Sequence, residues 1–462
     1  MAAVPTALRA QGDADQPMPL ARQMAESVRL PRQPNAAETA KVKTCLLDLI
    51  ACAIEARDLP WGRQAIALAN PARPGAQIIG APIRATPGDA AFANAVMGHG
   101  LVREDMHAGA ISHLGVVVLP VLLALSQTRP TSGARFIAAA IAGYEAGAQL
   151  GRALFTTQLA RLFRPTGITG PIGAAAAGAV LLGLDAAQTT SAIGLAANTV
   201  AGLNEWPHTG GSEMFFHPGF AARNALTCIQ LAAQGAQASD TALDGEAGLF
   251  AAYRRDDIRP AIALFSGPAE ILAVYNKPVP ACNFAQTACQ AALLIAREEQ
   301  APVASITAIH ILVPRAAARY PGCDSTGPFD RLLQAKMSIQ FGVAAALLRG
   351  AVEESNYALP ADPALLRLLA LTTLQEDPAF TAAFPAHQGA TVEVSFGGRV
   401  ARRSLDDVVP ATPDEVSARC RRAAAAAFGP ARADAIINYV ARLEDAPDIG
   451  PLAPLLASAE GR

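Results

Sequence analysis

The segment "GATVEVSFGGRVARRS" (389–404) distinguishes a purely helical chain from one that also contains a sheet. Apolar and polar residues alternate in "TVEVSF", a pair of glycines follows, and a second alternating run completes the segment. This pattern is typical of two strands joined by a tight turn. A second stretch, "ASITAIHILVP" (304–314), alternates in the same way and is rich in β-branched residues. We therefore predict a hairpin at 389–404 and a further strand at 304–314.

The rest of the chain has helical periodicity. Apolar residues recur at helical spacing in "AAETAKVKTCLLDLIACAIEA" (36–56) and "ARFIAAAIAGYEAGAQLGRAL" (134–154), and Gly and Pro separate such segments. Further helices are predicted at 285–299 and 333–350, between the strands, and from 412 onward. The predicted fold class is mainly α, with a large all-helical domain and a smaller inserted α+β lid domain.

The predicted domain boundaries follow from this change of pattern. Residues 21–272 and 405–455 form the large helical domain, and residues 273–404 form the small α+β lid domain. Residues 1–20 contain Asp, Gln and Pro without the apolar run of a signal peptide, so we predict a disordered N-terminal tail.

Composition restricts the class of protein. Hydrophobic residues make up 52% of the 462 residues and charged residues 16%, which favours buried helices and a homodimer. Lys and Arg number 37 against 39 Asp and Glu, with no basic tract, so no nucleic-acid partner is expected. Apolar runs such as "GVVVLPVLLAL" (115–125) are too short for a bilayer of about 30 Å, so no membrane association is expected. The seven cysteines include no CxxC pair, which favours a reducing, cytoplasmic location.

The stretch "GHGLVREDMHAGAISHLG" (98–115) contains three of the seven histidines and lies between two predicted helices. Asp105, His107 and His113 are acid–base candidates, because His titrates near neutral pH and a nearby carboxylate tunes it. The alternative is that each histidine only completes the hydrogen bonds of a helix end. The histidine spacing fits no metal-ligand motif and no phosphate-binding loop is present, so neither a metal nor another cofactor is expected.

Three further stretches carry charged or nucleophilic side chains. Arg164 precedes a helix rich in small residues. His217 lies in a loop before a helix predicted from Phe220, whose N-terminal amides can bind a carboxylate or can simply be capped. Lys277 and Cys282 lie at the predicted domain junction, where clefts commonly bind small molecules.

The order of these segments resembles the MmgE/PrpD family over most of the chain. The resemblance rests on "LLDLIACAIEA", "VVLPVLLAL", "RPTGITGPIGAAAAGAVLLGL", "HPGFAARNAL", "NKPVPAC" and "AKMSIQFGVAAALLRG". It implies a homodimer, a large helical domain, a smaller lid domain and a metal-free acid–base site between the two domains. The implied chemistry is removal of a proton next to a carboxylate, followed by loss of water, loss of carbon dioxide or reprotonation.

The resemblance also assigns roles to residues. His113 falls on a histidine of the family pattern and is predicted as the principal acid–base group, with Asp105 and His107 as its helpers. The predicted substrate-binding side chains are Arg103, Arg164, His217, Lys277 and Cys282. Of these, His217 and Lys277 keep the family pattern, whereas Arg164 and Cys282 stand where that pattern has histidines.

The chain departs from the family pattern at several positions. Val102, Met214 and Phe341 stand where that pattern has Asp, Lys and Tyr, so polar groups are lost. An apolar pocket disfavours a polycarboxylate that lacks compensating partners. Either other charged side chains of the same loops rebuild the site, or the pocket takes a more apolar substrate.

Two classes of function remain open. The first is a divergent lyase or isomerase that uses cofactor-free acid–base chemistry on a small carboxylate-bearing substrate, by dehydration, decarboxylation, epimerisation or rearrangement. The second is a non-catalytic small-molecule-binding or scaffold protein that has lost the family's active site. The retained His113 favours the enzyme, whereas the lost polar groups favour the binding protein.

Overall fold

The structure, a computed structural model, describes residues 17–255, 262–299, 302–358 and 361–458. Residues 1–16 of the predicted disordered tail lie outside the described residues. The first helix begins at Leu20, whose backbone N–H donates to Oδ2 of Asp244 at 3.0 Å.

Helices form most of the described chain, and the predicted mainly helical fold is confirmed. Those before the sheet are α1 (Leu20–Arg29), α2 (Ala36–Ala56), α3 (Pro60–Ala67), α4 (Pro87–His99), α5 (Gly115–Ser126), α6 (Gly133–Leu154), α7 (Leu159–Leu162), α8 (Pro165–Leu182), α9 (Ala186–Ala197), α10 (Trp206–Thr209), α11 (Glu213–Ala233) and α12 (Leu249–Ala252). The later helices are α13 (Gln286–Glu299), α14 (Arg315–Ala318), α15 (Leu332–Met337), α16 (Ile339–Arg349), α17 (Pro363–Ala370), α18 (Pro378–Ala383), α19 (Pro413–Phe428), α20 (Pro430–Ala441) and α21 (Leu452–Leu455).

In the described ranges, eight strands accompany the helices. They are β1 (Pro71–Gln77), β2 (Arg84–Ala85), β3 (Met106–His107), β4 (Val274–Tyr275), β5 (Ile306–Val313), β6 (Thr372–Glu376), β7 (Ala390–Phe396) and β8 (Arg399–Leu405).

Helix α8 lies at the centre of the helical part and packs against α5, α6, α9 and α11. Its small residues permit close approach: a Cβ on Gly173 would lie 2.7 Å from the carbonyl oxygen of Gly143 on α6. Among the described helices, α8 alone is long and apolar enough to cross a membrane, yet 89% of it is buried inside the protein. It therefore serves as a core helix.

The main sheet has the strand order β6-β5-β7-β8. β7 and β8 form the predicted hairpin, which turns at Gly397 and Gly398, both with positive φ. β5 is the strand predicted at 304–314, and it pairs antiparallel with β7 and parallel with β6. Helix α13 packs against β7 and β8. Both strand predictions are confirmed.

The short strands β1, β2 and β3 occur in the part predicted to be all-helical, which corrects that prediction, whereas β4 lies in the predicted α+β part. β1 pairs with β2, and β3 pairs with β4. β1 reads "PARPGAQ" and has no strand-like alternation of apolar and polar residues. Side chains remote in sequence accept hydrogen bonds from the backbone at its end. The N–H of Gln77 donates to Gln127, and the N–H of Ile79 donates to Asn94. The β3–β4 pair places the loop after α4 beside the segment that carries Lys277.

Candidate active site

The loop between α4 and α5 is largely buried and contains two strained positions. Val102 and Ile111, both β-branched, have φ values of 58° and 53°. Such left-handed conformations cost about 1–3 kcal/mol each and persist only where the surrounding structure fixes them. The two strained positions lie on either side of Glu104, Asp105 and His107.

Glu104 lies at the centre of a buried cluster in this loop. Its Oε1 lies 2.6 Å from Nδ1 of His99 and 3.0 Å from Nδ1 of His113. Burial raises the pKa of the Glu104 carboxyl, but the interactions with the two histidines outweigh burial and hold the pKa below its usual range. Glu104 is therefore ionised and connects the two imidazoles.

The contacts of His113 determine which ring nitrogen carries a hydrogen. Nδ1 lies 2.9 Å from the backbone oxygen of Asp105, and because a carbonyl only accepts, Nδ1 must be the donor. Burial lowers the pKa of His113 well below its usual value, although Glu104 opposes this shift. The neutral ring has its lone pair on Nε2, which makes no hydrogen bond within the described residues. This arrangement suits a general base.

Arg164 brings a positive charge to the same cluster. Its Nη2 donates to Nε2 of His99 at 3.1 Å, and its guanidinium lies 5.3 Å from the ring centroid of Trp206. Arg164 is only 9% exposed, and its Nε has no hydrogen-bond partner. No carboxylate forms an ion pair with it in the described part of the chain. A buried guanidinium in this state fits an anionic ligand.

Two buried lysines donate to backbone carbonyls of the same loop. Lys277, which follows β4, donates to the carbonyl oxygen of Val102. Lys336, on α15, donates to the carbonyl oxygen of Leu101 at 3.1 Å and pairs with Glu354 at 2.5 Å. Burial lowers the pKa of both ammonium groups. Lys336 is neutralised by its partner, whereas Lys277 has no ion-pair partner among the residues that the structure describes.

A hydrogen-bond network fixes the backbone of Lys277. Arg419, on α19, donates to the Lys277 carbonyl at 2.8 Å and pairs with Asp48 of α2 at 3.0 Å. Asp48 also accepts from the side chain of Asn276 at 2.8 Å, and Asn276 accepts from Lys41 at 2.7 Å. Elements from the start, middle and end of the chain thus hold this lysine in place.

Asp105 and Arg103, both predicted for the site, have other side-chain partners. Tyr144 donates to the carboxylate of Asp105, and only the backbone oxygen of Asp105 contacts His113. Burial raises the pKa of Asp105 to about 6. Arg103 pairs with Glu55 at 2.9 Å. The structure therefore does not bring either side chain to the His113 ring. Glu104, which lies between them in the sequence, makes that contact instead.

His107 is also separate from the cluster. Its Nε2 lies 2.7 Å from Oε2 of Glu270, and its Nδ1 accepts from the N–H of Ala110 at 3.0 Å. Arg152 pairs with the other oxygen of Glu270 at 3.0 Å. Both ring nitrogens of His107 are thus occupied, and the ring fixes the loop to the segment before β4.

His217 lies beside Arg164. Helix α11 begins at Glu213 and not near Phe220, so His217 is inside the helix, and the predicted carboxylate site at a helix N-terminus is not formed there. A Cβ on Gly202 would lie 3.0 Å from Cβ of Arg164 and 3.5 Å from Nδ1 of His217, so this glycine lets both side chains pack together. Burial, followed by the charge of Arg164, lowers the pKa of His217 to about 4.

Cys282 completes the group of predicted residues that come together. Its N–H donates to the carbonyl of Lys336 at 2.9 Å, and its Sγ lies 3.7 Å from Sγ of Cys323. The hydrogen bond from Cys323 is the main cause that lowers the pKa of Cys282 to about 7, against burial. The charges of Lys277 and Arg164 act in the same direction as that hydrogen bond.

Sequence analysis missed two members of the cluster, Glu104 and His99. His99 is the last residue of α4, a position where a histidine commonly completes a helix end. The turn that follows brings the two side chains together across five positions. The family pattern could have indicated both residues, because it begins with a histidine at the position of His99 and has an acid at the position of Glu104.

Two other candidates among the described residues, a metal centre and a surface cleft, show no comparable cluster. Within the described ranges, no group of three or more His, Cys, Asp or Glu side chains is arranged to hold a metal ion. A surface cleft of about 330 Å³ is lined by Arg29, Arg135 and Phe265, among others. Arg29 donates to the carbonyl of Leu184 and Arg135 to that of Leu181, so these arginines satisfy carbonyls at the end of α8.

Comparison with known sequences defines the class of protein. Residues 22–261 match the MmgE/PrpD N-terminal domain, and residues 279–445 match the MmgE/PrpD C-terminal domain. The chain therefore belongs to the MmgE/PrpD family, and the predicted resemblance is confirmed.

Curated relatives of this chain carry the name of a decarboxylase. The chain is 27% identical over 453 residues to "Cis-aconitate decarboxylase-like protein oryM" of Aspergillus oryzae, across 90% of this chain and 92% of that protein. It is 33% identical over 219 residues to the cis-aconitate decarboxylase of Aspergillus terreus, across 46% of this chain and 44% of that protein. It is 28% identical over 284 residues to the Homo sapiens cis-aconitate decarboxylase, across 60% and 58%. These similarities indicate a lyase-type enzyme.

Proposed function

We propose that this protein is a lyase that removes carbon dioxide or water from a small carboxylate-bearing substrate by acid–base catalysis, without a metal or organic cofactor. The observation that carries the proposal is the buried guanidinium of Arg164, which lacks a carboxylate partner in the described residues and lies beside His99. The lone pair on Nε2 of His113 belongs to the same cluster.

The charges of the cluster support an anionic substrate. Glu104 contributes one negative charge, while Arg164 and Lys277 contribute two positive charges that no described carboxylate pairs with. Burying such an excess is costly unless a ligand compensates it. A substrate carboxylate would receive two parallel hydrogen bonds from Arg164 and a further one from Lys277.

His113 would transfer the proton. In a dehydration, Nε2 takes a proton from the carbon next to the bound carboxylate, the carbon–carbon double bond forms as the neighbouring C–O bond breaks, and the hydroxyl takes that proton from Nε2 and leaves as water. The Nδ1–H side remains on Glu104 and the Asp105 carbonyl. In a decarboxylation, Nε2 first takes a proton from water, the bond to the carboxyl carbon breaks, carbon dioxide leaves, and the carbon that keeps the electron pair receives that proton from Nε2. Glu104 stabilises the imidazolium form in both reactions.

The relatives' names favour decarboxylation among the reactions that the sequence left open. Met214 supports a substrate with fewer charges than a tricarboxylate, because its Sδ lies 2.8 Å from Nε2 of His99 and is an apolar neighbour of the cluster. Two unpaired cations are matched by one or two carboxylates.

The test is a substrate panel of unsaturated and hydroxylated mono-, di- and tricarboxylates, including cis-aconitate, followed by NMR in deuterium oxide. We expect consumption of at least one acid, with deuterium at the carbon that His113 protonates. His113→Ala and Arg164→Met are the matched variants: the first should lose this activity, and the second should need a higher concentration of the acid to show it. Tight binding of an acid without turnover or deuterium exchange would instead favour the non-catalytic binding protein.

The homodimer and the cytoplasmic location remain predictions. Sedimentation velocity at micromolar concentration tests the first, and a mass of 47.6 kDa, that of one chain, would contradict it.

A further inference from the structure

Two cysteines form a close pair beside the candidate site. Sγ of Cys282 lies 3.7 Å from Sγ of Cys323, and both residues are buried free thiols. The backbone holds them there, since the N–H of Cys282 donates to Lys336 and the carbonyl of Cys323 accepts from Ile339. A disulfide needs a sulfur–sulfur distance of about 2.05 Å, so the two atoms must approach by less than about 2 Å.

The two thiols are not equivalent. The two thiols are hydrogen-bonded to one another, and Lys277 and Arg164 act on the sulfur of Cys282 as positive charges. These interactions lower the pKa of Cys282 to about 7, whereas burial raises the pKa of Cys323 well above its usual value. The thiolate is the reactive form of cysteine. Cys282 is therefore suited to react first, with Cys323 as the neighbouring thiol that resolves the product.

We propose that Cys282 and Cys323 are a redox-modification site, which hydrogen peroxide or a similar peroxide converts into an intramolecular disulfide at the edge of the substrate cluster. In the first step the sulfur of Cys282 attacks one peroxide oxygen, the O–O bond breaks, and Cys282 sulfenic acid and water form. In the second step the sulfur of Cys323 attacks the sulfur of Cys282, the S–S bond forms, and a second water leaves. Two thiols lose two electrons and two protons, and one peroxide becomes two waters.

The functional consequence rests on the proposed function. Any substrate that binds Arg164 and Lys277 must reach this buried cluster, and hydrogen peroxide is smaller than such an acid. The disulfide would consume the thiol of Cys282, on which Lys277 and Arg164 act as positive charges. It would also join the segment after Lys277 to the segment before α15. We therefore expect the oxidised enzyme to be inactive, and dithiothreitol to restore its activity.

The experiment exposes the intact protein to hydrogen peroxide, blocks the remaining thiols, and locates disulfides by peptide mass spectrometry. The wild-type protein should lose two hydrogen atoms and yield a peptide that joins Cys282 to Cys323. Cys323→Ser should form no such link and should instead accumulate Cys282 sulfenic acid, trapped by dimedone. Cys289→Ser is the matched control, because Cys289 is a buried thiol of the neighbouring α13 whose pKa is raised to about 12 by burial. It should form the link like the wild type.

The disulfide is measured without any substrate, so its outcome is independent of the proposed lyase activity. A free Cys323 thiol after Cys282 has been oxidised to the sulfinic acid would overturn the proposal. Oxidation of other cysteines before Cys282 would also overturn it. If the Cys323→Ser protein has lost the helical circular dichroism of the wild type, Cys323→Ala replaces it in the experiment. A disulfide at Cys282 in the correctly folded Cys323→Ala protein would then overturn the proposal. If the link forms but an established activity is unchanged, the modification has no regulatory effect and that part of the proposal is wrong.

Discussion

Two histidines of the same loop, His107 and His113, each contact a buried carboxylate, yet the structure gives them different surroundings. His107 lies 2.7 Å from Glu270, and His113 lies 3.0 Å from Glu104. In His107 the second ring nitrogen accepts from a backbone N–H, so no lone pair is free. In His113 both polar contacts use Nδ1, and the lone pair of Nε2 is available.

The arginines near the two pairs differ in the same sense. Arg152 pairs with Glu270, and its side chain is 57% exposed. Arg164 is buried beside His99 and has no carboxylate partner in the described residues. The first group is electrically complete, whereas the second has positive charge that remains to be compensated. The residue types and the distances between histidine nitrogen and carboxylate oxygen are similar in the two groups. The unbalanced charge and the free lone pair therefore distinguish a candidate site from a structural contact.

The largest expected effect separates the two histidines. His113→Ala should reduce turnover by ~10²–10⁴-fold, because it removes the general acid–base group. His107→Ala should leave turnover within a few-fold of wild type but lower the free energy of unfolding by about 1–3 kcal/mol, since Glu270 loses a buried hydrogen bond. Steady-state kinetics and urea unfolding measure the two effects. Equal losses of turnover in both variants would remove the distinction.

The carboxylates should differ in the same direction. Glu104→Gln keeps the shape of the side chain but removes the charge that stabilises the protonated His113, so turnover should fall by ~10²-fold. Glu270→Gln is the matched control and should change stability more than turnover. Activity of the Glu104→Gln protein close to that of the wild type would show that His113 acts without this carboxylate.

The arginines provide a smaller, binding-specific contrast. Arg164→Met should raise KM by roughly 10- to 100-fold, because hydrogen bonds to a charged group contribute about 1.5–3 kcal/mol. Arg164→Lys should recover part of this loss, since it restores the charge without the planar pair of donors. Arg152→Met should leave KM unchanged. A raised KM in Arg152→Met and a normal one in Arg164→Met would reverse the assignment of the anion site.

The fold could be predicted where it depends on local pattern. The hairpin β7–β8 and the Asp185 cap of α9 follow from adjacent residues, and both are present. The helix predicted at 333–350 is interrupted at Ser338, which caps α16, because its side chain accepts from the N–H of Phe341. The β3–β4 pair joins segments remote in sequence, and β1 lacks strand-like alternation, so no local pattern indicates these short strands.

The site could be predicted in part for the same reason. His113, Arg164 and Lys277 stand out as polar residues in an apolar chain, and the structure brings them together. The choice between Glu104 and Asp105 could not be made from sequence. It depends on the left-handed backbone at Val102, which sets the direction of the loop and is not expected for a β-branched residue.

The smallest expected effect concerns stability and pH, and it tests whether the cluster of His113 is buried as a whole. Burial lowers the pKa of His217 to about 4, while the unfolded chain binds the proton near pH 6.5. The stabilising contribution of neutral His217 is therefore present above pH 6.5 and is lost as the pH falls from 6.5 towards 4. His217→Gln should make the free energy of unfolding less dependent on pH in this window, as measured by urea unfolding at pH 7.5, 6 and 5. Part of the dependence should remain, because burial lowers the pKa of His99 and His113 in the same direction. An unchanged slope in the variant would mean that His217 is hydrated in the folded protein and does not form a wall of the cluster beside Arg164.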